Sequence, residues 1–280
     1  MRELSYEAIV QAVRALCIQA NTHLPEDLCQ AICRAREEEQ APVGRAILGD
    51  VVENFTFAAQ RELPVCQDTG MAVVFARLGQ EVHITGGLLA DAVNEGVAQG
   101  YVQGHLRCSV VADPLRRVNT GDNTPAILHL DLVPGDRLHL TVAPKGFGSE
   151  NMTSLRMFNP SATREDIVDY IVGVVAAAGS NPCPPVVVGV GLGGTSDMAA
   201  RLAKQALLRP VDVSSEDPFY AAMEAEILAR INHLGIGPQG LGGTTTALSV
   251  CILPHPTHIA GLPCCVNLGC HVTRHASADL

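Results

Sequence analysis

The run Leu63-Pro64-Val65-Cys66-Gln67-Asp68-Thr69-Gly70 places a thiol two positions before a carboxylate, between a Pro and a Gly that break regular structure. A thiolate there can attack a carbon or bind a soft metal, and the neighbouring carboxylate can carry a proton. Two more cysteines sit on turn chemistry: Cys183 in Asn181-Pro182-Cys183-Pro184-Pro185, and Cys270 in Asn267-Leu268-Gly269-Cys270-His271. Core cysteines usually hide in apolar periodic segments; these three sit where a sulfur can be aimed. The three lie far apart in the chain, so no ferredoxin-type local spacing exists. Thiolates from distant turns can still converge on a [4Fe–4S] cluster and leave one iron without a protein ligand, an open Lewis-acid position. On spacing alone, a separate structural role for each cysteine is the default.

Other groups are weaker signals. Arg107, in Leu106-Arg107-Cys108-Ser109-Val110-Val111, reads as a cation on an apolar strand; it wants an anionic partner, either a structural carboxylate or a ligand's. Lys145-Gly146-Phe147-Gly148-Ser149-Glu150-Asn151 is a Gly-rich loop whose backbone N–H groups can approach an anion, or a flexible strand exit; it lacks the Walker A order. Gly189-Val190-Gly191-Leu192-Gly193-Gly194 matches GxGxxG in form. The strand and acidic residue that a dinucleotide site needs further on are missing, so tight strand–helix packing is the better reading. Gly235–Gly243 is another Gly-rich turn. The tail holds His258, Cys264, Cys265, Cys270, His271, Arg274 and His275, but no CxxC pair that would favour zinc, and Cys264 and Cys265 fall in an apolar run that suits packing.

The elements that must position these groups read as mixed α/β. Residues 5–60 are helical in pattern, with Ser5 as an N-cap and Ile9, Val10, Val13, Leu16 and Cys17 at helical spacing. Strands are expected at 71–78 and 81–85, a helix at 88–101, and a hairpin from 126–133 and 137–143 around Pro134-Gly135-Asp136. Thr163-Arg164-Glu165-Asp166 reads as a helix start before 167–178. A buried strand at 185–190, helices at 195–208 and 217–234, and a strand at 244–253 follow. With no repeat and no long linker, the expectation is one continuous domain over 1–280, with 1–60 as a helical sub-layer and 61–280 carrying the site.

The chain has 280 residues, 47% of them hydrophobic and only 17% charged, enough for a large core with surplus apolar surface for a partner. Its net charge of −10, no Trp and 4% aromatics argue against nucleic-acid binding. The acidic amphipathic start is not a signal peptide, and no apolar run is long enough to span a bilayer. Ten cysteines without an export signal suggest a reducing, cytoplasmic setting.

Taken together, the motifs resemble the α subunit of class I, iron–sulfur-dependent fumarate hydratases and of the similar L-tartrate dehydratases. The resemblance rests on Pro64–Gly70, Leu106-Arg107, Asn119–Ala126, Lys145–Asn151, Asn181–Pro185, Gly189–Thr195, Gly235–Gly243 and Thr257–Pro263 through to Cys270, in that order over nearly the whole chain. It implies a [4Fe–4S] cluster on Cys66, Cys183 and Cys270, open at its fourth iron. Asp68 would do acid/base work, with His258 orienting it. Gln67, Arg107 and Gly148 would border a small dicarboxylate. The family's other catalytic half, a β part, is absent here, so the resemblance implies a β subunit partner and a hetero-oligomer. It implies reversible hydration of fumarate to L-malate; the alternatives are L-tartrate dehydration to oxaloacetate and an inactive binding or regulatory paralogue. One position departs: the family often has Lys after Gly242-Gly243, where this chain has Thr244.

Overall fold

The computed structural model describes residues 2–280. In chain order its elements are β1 (Arg2–Ser5), α1 (Tyr6–Thr22), α2 (Glu26–Glu38), α3 (Pro42–Arg61), β2 (Met71–Gly79), β3 (Val82–Thr85), α4 (Leu89–Gln103), β4 (Ile127–Val133), β5 (Leu138–Lys145), the single turn α5 (Phe147–Glu150), β6 (Ser154–Phe158), α6 (Arg164–Ala178), β7 (Val186–Gly193), α7 (Ser196–Ala206), α8 (Pro218–Asn232), β8 (Ala247–His255), β9 (Leu262–Gly269) and β10 (Ala276–Asp279). The fold class is mixed α/β, as expected. The chain groups into two compact units: the first takes the chain up to Pro25, Phe55–Phe147 and Arg274–Leu280, and the second takes Glu26–Asn54 and Gly148–Thr273. Among the described residues no helix is long and apolar enough to cross a membrane.

In the first unit a four-stranded sheet runs β10-β5-β2-β4, and β1 pairs with β3 in parallel. The Ser5 hydroxyl accepts the Ala8 N–H at 3.2 Å and starts α1, whose stripe of Ile9, Val10, Val13, Leu16 and Cys17 is buried. That stripe packs on α4 and on Val74, Leu140 and Val142 of the sheet. Each such aliphatic side chain contributes roughly 1.5–3 kcal/mol by leaving water.

Two expectations change here. Strands 126–133 and 137–143 form, but not as a hairpin. β2 lies between them, parallel to β4 and antiparallel to β5. The Pro134–Asp136 turn crosses the end of β2, taking the N–H of Gly79, Gln80 and Glu81 on the carbonyls of Arg137, Val133 and Gly135. Alternation fixes which face a residue occupies and leaves the neighbouring strand open. The segment around Arg107 is also not a strand. Its only ladder contact is a bridge between Val111 and Asn119, and its N–H groups are taken by side chains instead.

In the second unit the sheet runs β6-β9-β7-β8, with β7 and β8 parallel and β9 antiparallel to both β7 and β6. Val186, Val188 and Val190 face a core built from Ile167 and Ile171 of α6 and Met223, Ile227 and Ile231 of α8. On the opposite face α7 lies directly on the glycines of β7. A Cβ at Gly189 would stand 2.2 Å from the Ala203 carbonyl oxygen, and one at Gly191 2.0 Å from that of Ala199. The GxGxxG run therefore serves close packing of helix on strand. The capping box also forms: Thr163 Oγ1 accepts the Asp166 N–H at 3.2 Å and Asp166 Oδ2 accepts the Thr163 N–H at 2.7 Å.

Candidate active site

In the first unit the turn after α3 is built around its own carbonyls. Val65 is buried and its N–H donates to the Asn21 carbonyl at 2.9 Å, which anchors the entry. Cys66 and Asp68 are half-buried and Gln67 is exposed. The carbonyl of Asp68 accepts Arg274 Nη2 at 2.6 Å, that of Thr69 the Tyr101 hydroxyl at 2.8 Å, and that of Gly70 the Asn123 Nδ2 at 3.0 Å. All three donors are buried residues. A buried carbonyl left without a donor costs about 1–3 kcal/mol, so this set stiffens the turn. Gly70 closes it at φ 74, where a Cβ would lie 2.7 Å from the Lys145 backbone; only glycine fits.

The Asp68 carboxylate is oriented by main-chain donors: Oδ1 accepts the Gly70 N–H and Oδ2 the Phe147 N–H, both at 2.9 Å. Thr69 couples this turn to Arg107: its hydroxyl accepts the Arg107 N–H at 2.9 Å and donates to the Arg107 carbonyl at 3.1 Å. Asn123 extends the link, since its Oδ1 accepts the N–H of Ser109 at 2.7 Å and of Val110 at 3.2 Å. The Arg107 backbone is thus held while its side chain is exposed. The first unit brings Cys66, Gln67, Asp68 and Arg107 together through one hydrogen-bonded turn.

Gly148, Cys183, Cys270 and His258 belong to the second unit. Gly148 is exposed within the one-turn α5, which forms inside the expected Gly-rich loop. Cys183 is exposed in a left-handed conformation at φ 55. Its carbonyl accepts the His271 N–H at 3.2 Å, so the residue after Cys270 is bonded to Cys183 itself. Cys270 follows β9 directly, and its carbonyl takes the Thr273 N–H at 2.9 Å and hydroxyl at 2.7 Å. His258 is exposed, and its Nδ1 accepts the Ala260 N–H at 3.1 Å within its own loop.

The chemistry of the donor set suits a soft-metal group. Cys66, Cys183 and Cys270 lie on irregular backbone and reach solvent to differing degrees. The core cysteines do not: burial pushes the thiols of Cys17 and Cys264 up to about 12 and that of Cys265 to about 11, which leaves them un-ionised packing groups. Among the described residues, no three His, Cys, Asp or Glu side chains are already gathered closely enough to hold a metal ion.

Thr244, the departure noted above, has a partner. Its N–H reaches Glu39 Oε1 and Oε2 at 2.9 and 3.0 Å and its hydroxyl donates to Oε1 at 3.0 Å, while the Thr245 N–H donates to Oε2 at 2.8 Å and the Ala41 N–H to Oε1 at 2.9 Å. Glu39 is fully buried. Burial pushes its carboxyl up, but the main-chain donors of Thr244, Ala41 and Thr245 outweigh that and hold it down at about 2.

Sequence reasoning passed over Tyr101 and Glu39, and took Asn123 only as part of the Asn119–Ala126 motif and Arg274 only as part of a cysteine- and histidine-rich tail. A polar group that acts by satisfying a distant carbonyl leaves no local spacing. The one available sign was a Tyr and an Asn inside otherwise apolar or turn-forming stretches.

A family model described as Fumarate hydratase (Fumerase) matches residues 10–279. The chain belongs to that family, a family of hydro-lyases. It is 38% identical over 274 residues to a Methanocaldococcus jannaschii protein whose assignment as L(+)-tartrate dehydratase subunit alpha is provisional, covering 96% of each chain. It is also 28% identical to the L(+)-tartrate dehydratase subunit alpha of Escherichia coli UTI89 and 27% identical to that of Escherichia coli K12, in both cases over 99% of this chain and 92% of the relative.

Proposed function

We propose that this chain is the α subunit of an iron–sulfur hydro-lyase acting on a four-carbon dicarboxylate, with a β subunit completing the site. The observation that carries the reading is the Asp68 carboxylate, held by two main-chain N–H groups on the turn that also carries Cys66. Elimination of water from a hydroxy-dicarboxylate needs a base at carbon, an electrophile at the hydroxyl and cations for the carboxylates. Cys66, Cys183 and Cys270 would hold a [4Fe–4S] cluster, which when bound supplies the Lewis acid for the hydroxyl.

The chain's own residues do the rest. Asp68 takes the proton at carbon and returns it in hydration, aimed by its fixed turn. Arg107 offers its exposed guanidinium to a substrate carboxylate from a backbone locked by Thr69, with Gln67 on the same turn lining the site. Gly148 would supply a backbone contact, and the family resemblance assigns His258 the orienting of Asp68. The names of the end-to-end relatives favour L-tartrate dehydration to oxaloacetate over fumarate hydration to L-malate; the second reaction is kept because the family model carries that description. The relatives' designation as subunit alpha supports the β partner.

The test is anaerobic co-purification with the β partner, cluster reconstitution, and assay on L-tartrate, fumarate and L-malate. The expected result is turnover of at least one of these by the complex and none by the isolated chain. A complex that carries the cluster and turns over none of the three overturns the assignment; turnover by the isolated chain overturns the requirement for β.

A further inference from the structure

The backbone bearing Cys183 is fastened from one side by a single residue. Gln239 donates twice to the Pro184 carbonyl, from its main-chain N–H at 2.8 Å and from its side-chain Nε2 at 2.9 Å. The same Nε2 lies 3.1 Å from His271 Nδ1, and that nitrogen lies 3.0 Å from the Cys183 carbonyl. The amide orientation follows from its neighbours, since a flipped amide would set an oxygen against the Pro184 oxygen. With Nε2 in place, its second N–H can point at His271 Nδ1, which accepts it in the Nε2–H tautomer, whereas the Nδ1–H tautomer would donate to the Cys183 carbonyl. The Cys183 carbonyl does not need the ring, because the His271 main-chain N–H already donates to it. The Gln239–His271 contact therefore calls for the Nε2–H tautomer of the neutral ring.

Gln239 keeps this position at a cost in backbone conformation. Among the described residues it is one of six non-glycine residues at positive φ, at 53°, and Cys183 is another, at 55°. Its turn is tied to the Thr246 hydroxyl through the Gly237 N–H at 3.1 Å, and the following Thr244 and Thr245 are tied to Glu39. A residue with a left-handed backbone whose side chain bridges Pro184 and His271, next to Cys183 and Cys270, is more than turn formation requires.

We propose that Gln239 is a positioning residue for the Cys183–Cys270 thiol pair, its side-chain amide locking the Pro184 carbonyl and the His271 ring so that both turns are set before a metal group binds. The proposal rests on the reading above that these cysteines are cluster ligands. Partners of this kind that orient ligands typically alter metal affinity by about 10–100-fold when removed.

The experiment uses the full chain with its β partner, and the variants Gln239→Asn and Gln239→Gly. Both replacements tolerate the left-handed backbone, and neither side chain can reach Pro184 and His271 together. After anaerobic reconstitution, the loss of cluster absorbance to a chelator is followed, with iron counted per chain. In the metal-free chain, ring 15N shifts of His271 report the tautomer. The expected result is an Nε2–H ring in wild type, loss of that fixed tautomer in both variants, and cluster release at least about tenfold faster at unchanged far-ultraviolet circular dichroism. Wild type and variants that hold iron equally tightly overturn the proposal. If wild type binds no cluster, the cofactor reading fails on its own; the His271 tautomer then decides the network, and an Nδ1–H ring overturns it. Variants that do not fold leave that same wild-type tautomer as the deciding result.

Discussion

Replacing Glu39 with Gln tests whether one buried carboxylate holds the Gly-rich turn. The native carboxylate accepts from Ala41, Thr244 and Thr245 main-chain N–H groups and from the Thr244 hydroxyl. Glutamine offers one acceptor oxygen and turns an NH2 toward donors. The electrostatic share follows from the carboxyl's displacement from 4.5 to about 2. At about 1.4 kcal/mol per unit this is an upper value of about 3.5 kcal/mol. Because the folded value is the lower one, the contribution is fully present above the unfolded value and is lost as the pH falls toward 2. About 2 kcal/mol of it should be gone by about pH 3. The assay is denaturant unfolding of wild type and Glu39→Gln in parallel between neutral pH and about pH 3, read as the difference between the two proteins so that other acid-sensitive groups cancel. A stability gap of up to about 3.5 kcal/mol at neutral pH that narrows in acid is expected. Equal stabilities at neutral pH, or a gap that does not change with pH, would refute the reasoning.

Asp68→Asn should lower kcat of the assembled enzyme by at least about 100-fold while iron content stays at the wild-type level, as loss of a general base predicts; near-normal turnover removes Asp68 from proton transfer. Tyr101→Phe deletes the donor to the Thr69 and Gly70 carbonyls inside a fully buried site. It should cost about 1–3 kcal/mol in unfolding free energy, and an unchanged midpoint would mean those carbonyls find another partner. Gly191→Ala must push α7 off β7, so a loss of about 1–3 kcal/mol or outright misfolding is expected; a variant that melts like wild type would refute the packing account of the glycine run.

Much of the fold was legible where a local rule decides. Thr163 and Asp166 are three residues apart and satisfy each other, so the start of α6 was readable directly. The buried stripe of α1 and the apolar run of β7 carry their own period. What could not be read was which strands are neighbours. Residues 126–143 alternate as a hairpin would, yet β4 returns parallel to β2 after the α4 crossover, and a turn of about four residues then spans two strand spacings of roughly 10 Å to reach β5. The Arg107 segment failed for a related reason: Thr69 and Asn123 side chains satisfy N–H groups there that a ladder would otherwise take. At the site, Cys66, Asp68, Cys183 and Cys270 were visible because turn-borne cysteines and a paired carboxylate are unusual local chemistry. Their supports were not, since Tyr101, Asn123, Arg274 and Gln239 each act on a carbonyl that only the folded chain brings near.

The segment Arg274–Leu280 completes the first unit although the whole second unit precedes it in the chain. β10 adds the edge strand beside β5, and Arg274 supplies the donor for the Asp68 carbonyl. During synthesis, the turn bearing Cys66 and Asp68 emerges 206 residues ahead of that donor. A chain cut before Arg274 would hold every residue of the second unit while the Asp68 carbonyl still lacks that donor. The order of synthesis thus delays this support of the Asp68 turn until Arg274 has been added.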